Sequence, residues 1–131
     1  MWLLDTNICS YVLKQRPTSV LQRFVAVGPD HLATSTVVLG ELLFGCARHR
    51  EGDRIRREVE DFTSRLQVLP WNAAAATAYG DLRAHLERSG SPVGAMDLMI
   101  GAHALALGAT LVSNNIRHFE RMPGLKLENW V

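Results

Sequence analysis

Trp2-Leu3-Leu4-Asp5-Thr6-Asn7 is the stretch on which the architecture turns. Three apolar residues without a polar interruption read as a strand covered on both faces, the habit of parallel rather than antiparallel sheets. Asp5, Thr6 and Asn7 then supply capping residues to a helix running toward Lys14. A buried strand feeding directly into a helix begins a crossover unit, and the chain repeats that unit downstream. Asp5 therefore belongs to the carboxyl edge of the sheet, where open parallel sheets bind their ligands.

Working outward, Pro17 opens a second helix with Val20, Leu21, Phe24 and Val25 as its stripe, ending near Gly28-Pro29. His31-Leu32-Ala33-Thr34 reads as a second strand. Ser35 or Thr36 caps a helix toward Arg48, with Val38, Leu42 and Gly45 expected in its core stripe. Gly40 and Gly45 inside that helix each cost about 1 kcal/mol of propensity, which predicts that another backbone packs close against them. A charged helix spans about Asp53 to Leu66, with Ile55, Val59, Phe62 and Leu66 on one face. Gln67-Val68-Leu69 is a third strand, and Asn72 caps an Ala-rich helix that ends at Ser89-Gly90. Met96, Met99, Ile100, His103, Ala104 and Leu107 mark the next helix, closed by Gly108. Thr110-Leu111-Val112-Ser113 is a fourth strand, followed by the turn Asn114-Asn115 and a fifth short strand near Leu125-Lys126-Leu127. The fold class is α/β with a central, mostly parallel sheet of four to five short strands.

The chain has 131 residues, of which 47% are hydrophobic and 21% charged. That size and balance fit a single domain over 1–131 with one core, and exclude intrinsic disorder. No apolar run approaches the roughly 18 residues of a membrane span. The N-terminus lacks the basic and long apolar regions of a signal peptide. Cys9 and Cys46 are too few for a disulfide scaffold and sit in apolar helical patterns, which suits a reducing cytoplasm. Fourteen basic against thirteen acidic residues leave a formal charge of +1, which on its face speaks against a strong nucleic-acid binder.

Three acids carry the chemistry. Asp5 follows the first strand, with an ordinary N-cap as its bland reading. Glu41 borders the apolar stripe of Val37-Val38-Leu39-Gly40-Glu41-Leu42-Leu43-Phe44, where an unpaired charge is costly. Asp97 sits in the first turn of the most apolar helix, a position the helix dipole favours for any carboxylate. Converging, the three would repel one another and call for a cation. Oxygen ligands favour Mg²⁺, with Mn²⁺ as a substitute. Cysteine and histidine spacing gives no zinc motif. Carboxylate-held Mg²⁺ serves phosphoryl chemistry, and no Walker loop, dinucleotide fingerprint or nucleophile elbow competes with it.

These segments resemble the PIN-domain ribonucleases, specifically VapC-type toxins of prokaryotic toxin–antitoxin systems. The resemblance rests on Leu3-Leu4-Asp5-Thr6-Asn7, on Ser35 through Gly45, on Pro92 through Ala104, and on Leu111 through Phe119. It implies a PIN-like three-layer α/β/α fold and a Mg²⁺-dependent endoribonuclease. Asp5, Glu41 and Asp97 fall on the family's acidic positions, Asp5 and Asp97 as metal ligands and Glu41 binding the metal or orienting its water. Thr6 and Asn7 fall on the polar positions beside the first acid, and Ser113 on the small hydroxyl position after the fourth strand. Asn115 departs from the pattern, because many members carry a fourth acid there. Glu120, five residues on, is the alternative source of that charge. The Asn-Asn form resembles a subgroup that cuts tRNA, including initiator tRNA in its anticodon stem-loop.

Phosphate contacts are expected from Arg48 and Arg50, in a segment that holds five arginines against two acids between Arg48 and Arg57, and from Arg117, which with His118 and Arg121 forms a second small basic group just after Asn115. His103, on an apolar stripe, reads as a core histidine. Trp2, Trp71 and Trp130 read as packing or interface residues. The resemblance further implies a VapB-like antitoxin covering the acidic cleft, a homodimer, RNA as substrate, and DNA contact only through the antitoxin. Two other readings compete. A catalytically weak PIN-fold module that binds RNA or protein is favoured by Asn115. A phospho-receiver domain is disfavoured because the strand at Gln67-Val68-Leu69 ends without an aspartate.

Overall fold

The computed structural model describes all residues from Met1 to Val131. Its elements run β1 (Trp2–Leu4), α1 (Thr6–Lys14), α2 (Thr18–Val27), a 3₁₀ turn (Pro29–His31), β2 (Leu32–Ser35), α3 (Thr36–Arg48), α4 (Gly52–Thr63), β3 (Gln67–Leu69), α5 (Ala73–Arg88), α6 (Ala95–Leu107), β4 (Thr110–Val112), α7 (Ile116–Phe119) and β5 (Lys126–Glu128). The five strands form one sheet in the order β3-β2-β1-β4-β5. Every pairing is parallel, with Leu4 opposite Thr34 on one side and Val112 on the other. Four of the five strands have only three residues, and β1 is enclosed by neighbours on both edges, as its unbroken apolar run requires.

Two adjacent residues of β2 show how the layers are arranged. Successive strand residues point to opposite faces. Thr34 meets the Cys9 thiol of α1, and Ser35 meets His103 of α6 at 2.8 Å. Helix α1 therefore lies on one face of the sheet and α6 on the other, giving three layers. The chain leaves β1 toward β2 and β3, then returns to place β4 on the opposite edge of β1. The strand order reverses between β1 and β4, and the crevice at their carboxyl ends is the topological switch point of the sheet.

The core gathers Leu3, Leu4, Ile8, Leu32, Phe62, Leu111 and Phe119, all fully enclosed. Several local expectations need correction. The buried stripe of α3 is Val38, Leu42 and Cys46, with Gly45 only half-covered. The helix turns four residues between Leu42 and Cys46, and this brings the cysteine inward in place of the glycine. No backbone approaches Gly40 or Gly45, since a Cβ at either would meet nothing within 4 Å. The close approach lies instead at Gly101 in α6, where a side chain would run into Met122. Helix α6 buries Leu98 and the whole run from Ile100 to Ala104, while Met96 at its first turn is exposed. That helix is covered nearly all round, so spacing alone misplaces its face. His103 is a core residue as expected. Trp130 is buried, and Trp2 and Trp71 spend their indole N–H groups on Glu128 and the Met99 carbonyl.

Candidate active site at the switch point

Asp5 leaves β1 at the switch point and caps α1, its Oδ1 accepting from the Ile8 N–H at 2.9 Å. Only 5% of the residue is exposed. Burial pushes its carboxyl up from the ordinary range. Hydrogen bonds from the Ser113 side chain and the Ile8 N–H pull it down, and the charges of Asp97 and Glu41 push it up again. The three acids thus share one field. They do not form a closed cage, because no three of the His, Cys, Asp and Glu side chains stand in metal-holding geometry.

Glu41 reaches the site from the second turn of α3. Its Oε1 accepts the Thr6 hydroxyl proton at 2.5 Å, so the polar residue after the first acid anchors the second acid. Asp97 arrives from the first turn of α6. Its Oδ2 takes two partners from the segment after β4: His118 Nδ1 at 2.7 Å and Asn115 Nδ2 at 3.4 Å. Asn115 Nδ2 also lies 2.6 Å from His118 Nδ1. The Ser113 hydroxyl is fully buried and accepts the Asn115 N–H at 2.9 Å, fixing the turn from which the amide reaches Asp97.

Of the residues expected around the acids, Thr6, Ser113 and Asn115 make such contacts. Asn7 is exposed and makes no side-chain hydrogen bond within the chain. Glu120 is exposed at the C-terminal end of α7 and makes no side-chain hydrogen bond to the acids. Arg117, Arg48 and Arg50 are exposed. Arg117 lies on α7 beside the site, and the Arg48 guanidinium lies 5.4 Å from the centre of the Phe44 ring. Sequence reading placed His118 only within a basic group. Its signal was the three-residue step from Asn115, one helical turn, which returns the two side chains to the same carboxylate.

The donor set is oxygen-rich. Cys9 and Cys46 are both buried and free, and burial drives the Cys9 thiol far above its usual value, so it offers no thiolate. Asp97, Glu41 and Asp5 come from three separate elements onto one crevice, which suits a hard divalent cation and not zinc.

Residues 2–125 match the PIN domain, almost the whole chain. The chain belongs to the PIN-domain family. Within it, the curated relatives are VapC proteins. The chain is 43% identical over 129 residues to the tRNA(fMet)-specific endonuclease VapC of Shigella flexneri, covering 98% of this chain and 97% of that one. It is 38% identical over 131 residues to Ribonuclease VapC2 of Rickettsia felis, covering 99% and 98%. Its fold is similar to the DNA-bound VapBC crystal structure from Salmonella typhimurium, with a TM-score of 0.94 at 39% identity over 99% of this chain and 98% of that one. No helix of this PIN-domain chain is long and apolar enough to cross a membrane.

Proposed function

We propose that the chain is the toxin of a toxin–antitoxin pair, a Mg²⁺-dependent endoribonuclease that hydrolyses a phosphodiester in tRNA and so halts translation. The observation that carries this reading is the placing of three carboxylates at the switch point: Asp5 buried and held by the Ile8 N–H, Glu41 held by Thr6, and Asp97 held by His118 and Asn115. A site that holds three mutually repelling carboxylates on rigid elements is organised for a cation rather than for an apolar ligand. Asp5 and Asp97 would hold the metal, with Glu41 beside them and Mn²⁺ as a substitute. A divalent ion held there would supply charge neutralisation for a phosphate and a water of lowered pKa.

The chain's own residues do the rest. Asp5 is locked by the Ile8 N–H, so its position follows from the geometry of the first turn of α1. Thr6 occupies one oxygen of Glu41 and leaves the other to accept a proton from water. His118 and Asn115 share Oδ2 of Asp97 and orient that carboxylate. Arg117, on α7 beside Asp97, supplies a cation for a neighbouring phosphate, with Arg48 and Arg50 farther along the surface. The Shigella relative's name supports tRNA as substrate, with initiator tRNA as the specific candidate. Solved VapBC complexes support a VapB-like antitoxin as partner, and a DNA-bound one supports promoter contact through that partner. We expect a homodimer working in the cytoplasm.

The test is to purify the chain free of antitoxin and incubate it with total tRNA and Mg²⁺. Site-specific cuts that need both Mg²⁺ and Asp5 are expected, and their absence overturns the reading. Asp97→Asn should relieve growth arrest while leaving the fold intact by circular dichroism. A variant that stays toxic would remove Asp97 from the metal assignment.

A further inference from the structure

Helix α3 carries two glycines that nothing inside the chain explains. Gly40 and Gly45 stand mid-helix, each at a propensity cost of about 1 kcal/mol against alanine. A Cβ at either position would project into open space. An internal packing reason is therefore excluded, and the remaining physical use of a bare backbone is close approach by something outside the chain. The residues between them point the same way. Phe44 lies one turn after both Gly40 and Glu41 and is 65% exposed. Arg48 lies one turn further on, its guanidinium 5.4 Å from the centre of the Phe44 ring. Glu41, Phe44 and Arg48 thus form one stripe, since side chains three and four apart share a helix face. The stripe borders a groove of about 530 Å³ between α1, α3 and α4, whose lining runs from Thr6 and Glu41 to Lys14, Phe44 and Arg48.

We propose that this stripe is a single-stranded RNA track leading out of the acidic site, with a base stacked on Phe44 and phosphates held by Arg48 and Lys14. The proposal rests on the nuclease reading above and names the path of its substrate. Three features select RNA as the occupant. The groove is continuous with the site through Glu41 and Thr6. Lys14 and Arg48 end α1 and α3, away from Glu41, and the other acid of the lining, Glu58, is paired with Arg54. An aromatic ring paired with a guanidinium is the usual platform for unpaired bases. Glu41 and Arg48 are seven residues apart, about 10 Å along the helix axis, a span of a few nucleotides.

The experiment measures cleavage of full-length initiator tRNA with Mg²⁺, and anisotropy of a labelled anticodon stem-loop RNA, for wild type and variants. Phe44→Ala should raise KM and the RNA Kd about tenfold or more with kcat little changed. Phe44→Trp should restore affinity, and Phe44→Leu should not, because stacking needs a ring and not merely apolar bulk. Arg48→Ala should weaken binding and lower the slope of log K against log salt by about 1. Gly45→Leu should raise the melting temperature and yet weaken RNA binding. Phe44 is exposed, so its variants fold, which circular dichroism checks. If Phe44→Leu binds RNA as wild type does, the track is refuted. Loss of a co-purified protein partner on Phe44→Ala with unchanged RNA kinetics also refutes it, assigning the face to protein. A wild type that cuts no RNA fails the nuclease reading itself, an outcome separate from any of these.

Discussion

The bond between Ser35 and His103 joins the start of the helix that carries Glu41 to the helix that carries Asp97, so its loss should be felt at both. Ser35 is 0% and His103 1% exposed. The Ser35 hydroxyl oxygen accepts the Val37 N–H at 3.1 Å as the N-cap of α3. It lies 2.8 Å from His103 Nδ1, and donating its own proton to that nitrogen satisfies both groups. Ser35→Ala removes the cap, worth about 1 kcal/mol. It also strands a buried imidazole nitrogen, at about 1–3 kcal/mol. The expected loss is about 2–4 kcal/mol, or roughly 8–16 °C in Tm at about 4 °C per kcal/mol for a chain of this size.

Urea unfolding followed by circular dichroism reads the loss as a fall in midpoint at constant m. Adding His103→Leu to Ser35→Ala removes the stranded nitrogen. The double variant should therefore be less damaged than the sum of the singles by about 1–2 kcal/mol. Additivity within about 0.5 kcal/mol would refute the coupling. A Ser35→Ala loss below about 1 kcal/mol would show that only the cap was lost.

Burial holds the His103 ring below its ordinary value of 6.5, so the folded chain keeps it neutral. Below pH 6.5 the unfolded chain takes up a proton that the folded one refuses, so this group's stabilisation is full above that pH and falls as the pH drops through the window beneath it. His103→Leu should flatten that part of the stability–pH curve, measured against wild type by urea midpoints from pH 7.5 to 5. Asp5 has the opposite sign. Its raised carboxyl means that ionisation opposes folding, so stability falls as pH rises from the ordinary 3.8 through the folded value. Asp5→Asn keeps an oxygen for the Ile8 N–H and should be at least as stable as wild type at pH 7 in chelator, with that advantage vanishing in acid and with cleavage abolished. A strong destabilisation at pH 7 would contradict the burial argument. Thr6→Val should free Glu41 and lower kcat about tenfold, from the roughly 1.5–3 kcal/mol of a hydrogen bond to a charge, discounted for partial exposure; Thr6→Ser should restore it.

The sheet was legible because β1, β2 and β4 are short runs with an apolar body, each ended or followed within three residues by a residue that caps a helix. Asp5, Ser35 and Asn72 announced α1, α3 and α5 through the side-chain oxygens that now accept their first-turn N–H groups. What was not legible depends on who faces whom. The face of α6 was misread because five consecutive residues, Ile100 to Ala104, are buried, and a helix covered on all sides loses its periodic signal. Gly45 was placed inward because helical spacing tolerates either of two neighbouring residues, and only the packed fold shows that Cys46 is the buried one. The pairing of Thr6 with Glu41 across 35 residues, and of His118 with Asp97 across 21, is tertiary information that no window along the chain contains.

Asn115 shows why the near-neutral total charge misleads. Its amide donates to Asp97 Oδ2 at 3.4 Å. An aspartate there would set a fourth negative charge against Asp97, in a crevice where Asp5 already feels two. The amide replaces that repulsion with a donor, and His118 adds a second donor to the same oxygen. Negative charge is thus held to three carboxylates at the switch point, and the exposed arginines lie outward from it along α3 and α7. A formal charge of +1 sums these two regions. Their separation, not their sum, is what a phosphodiester chain would meet: cations along its path, and acids only where a divalent ion can stand between them and the backbone.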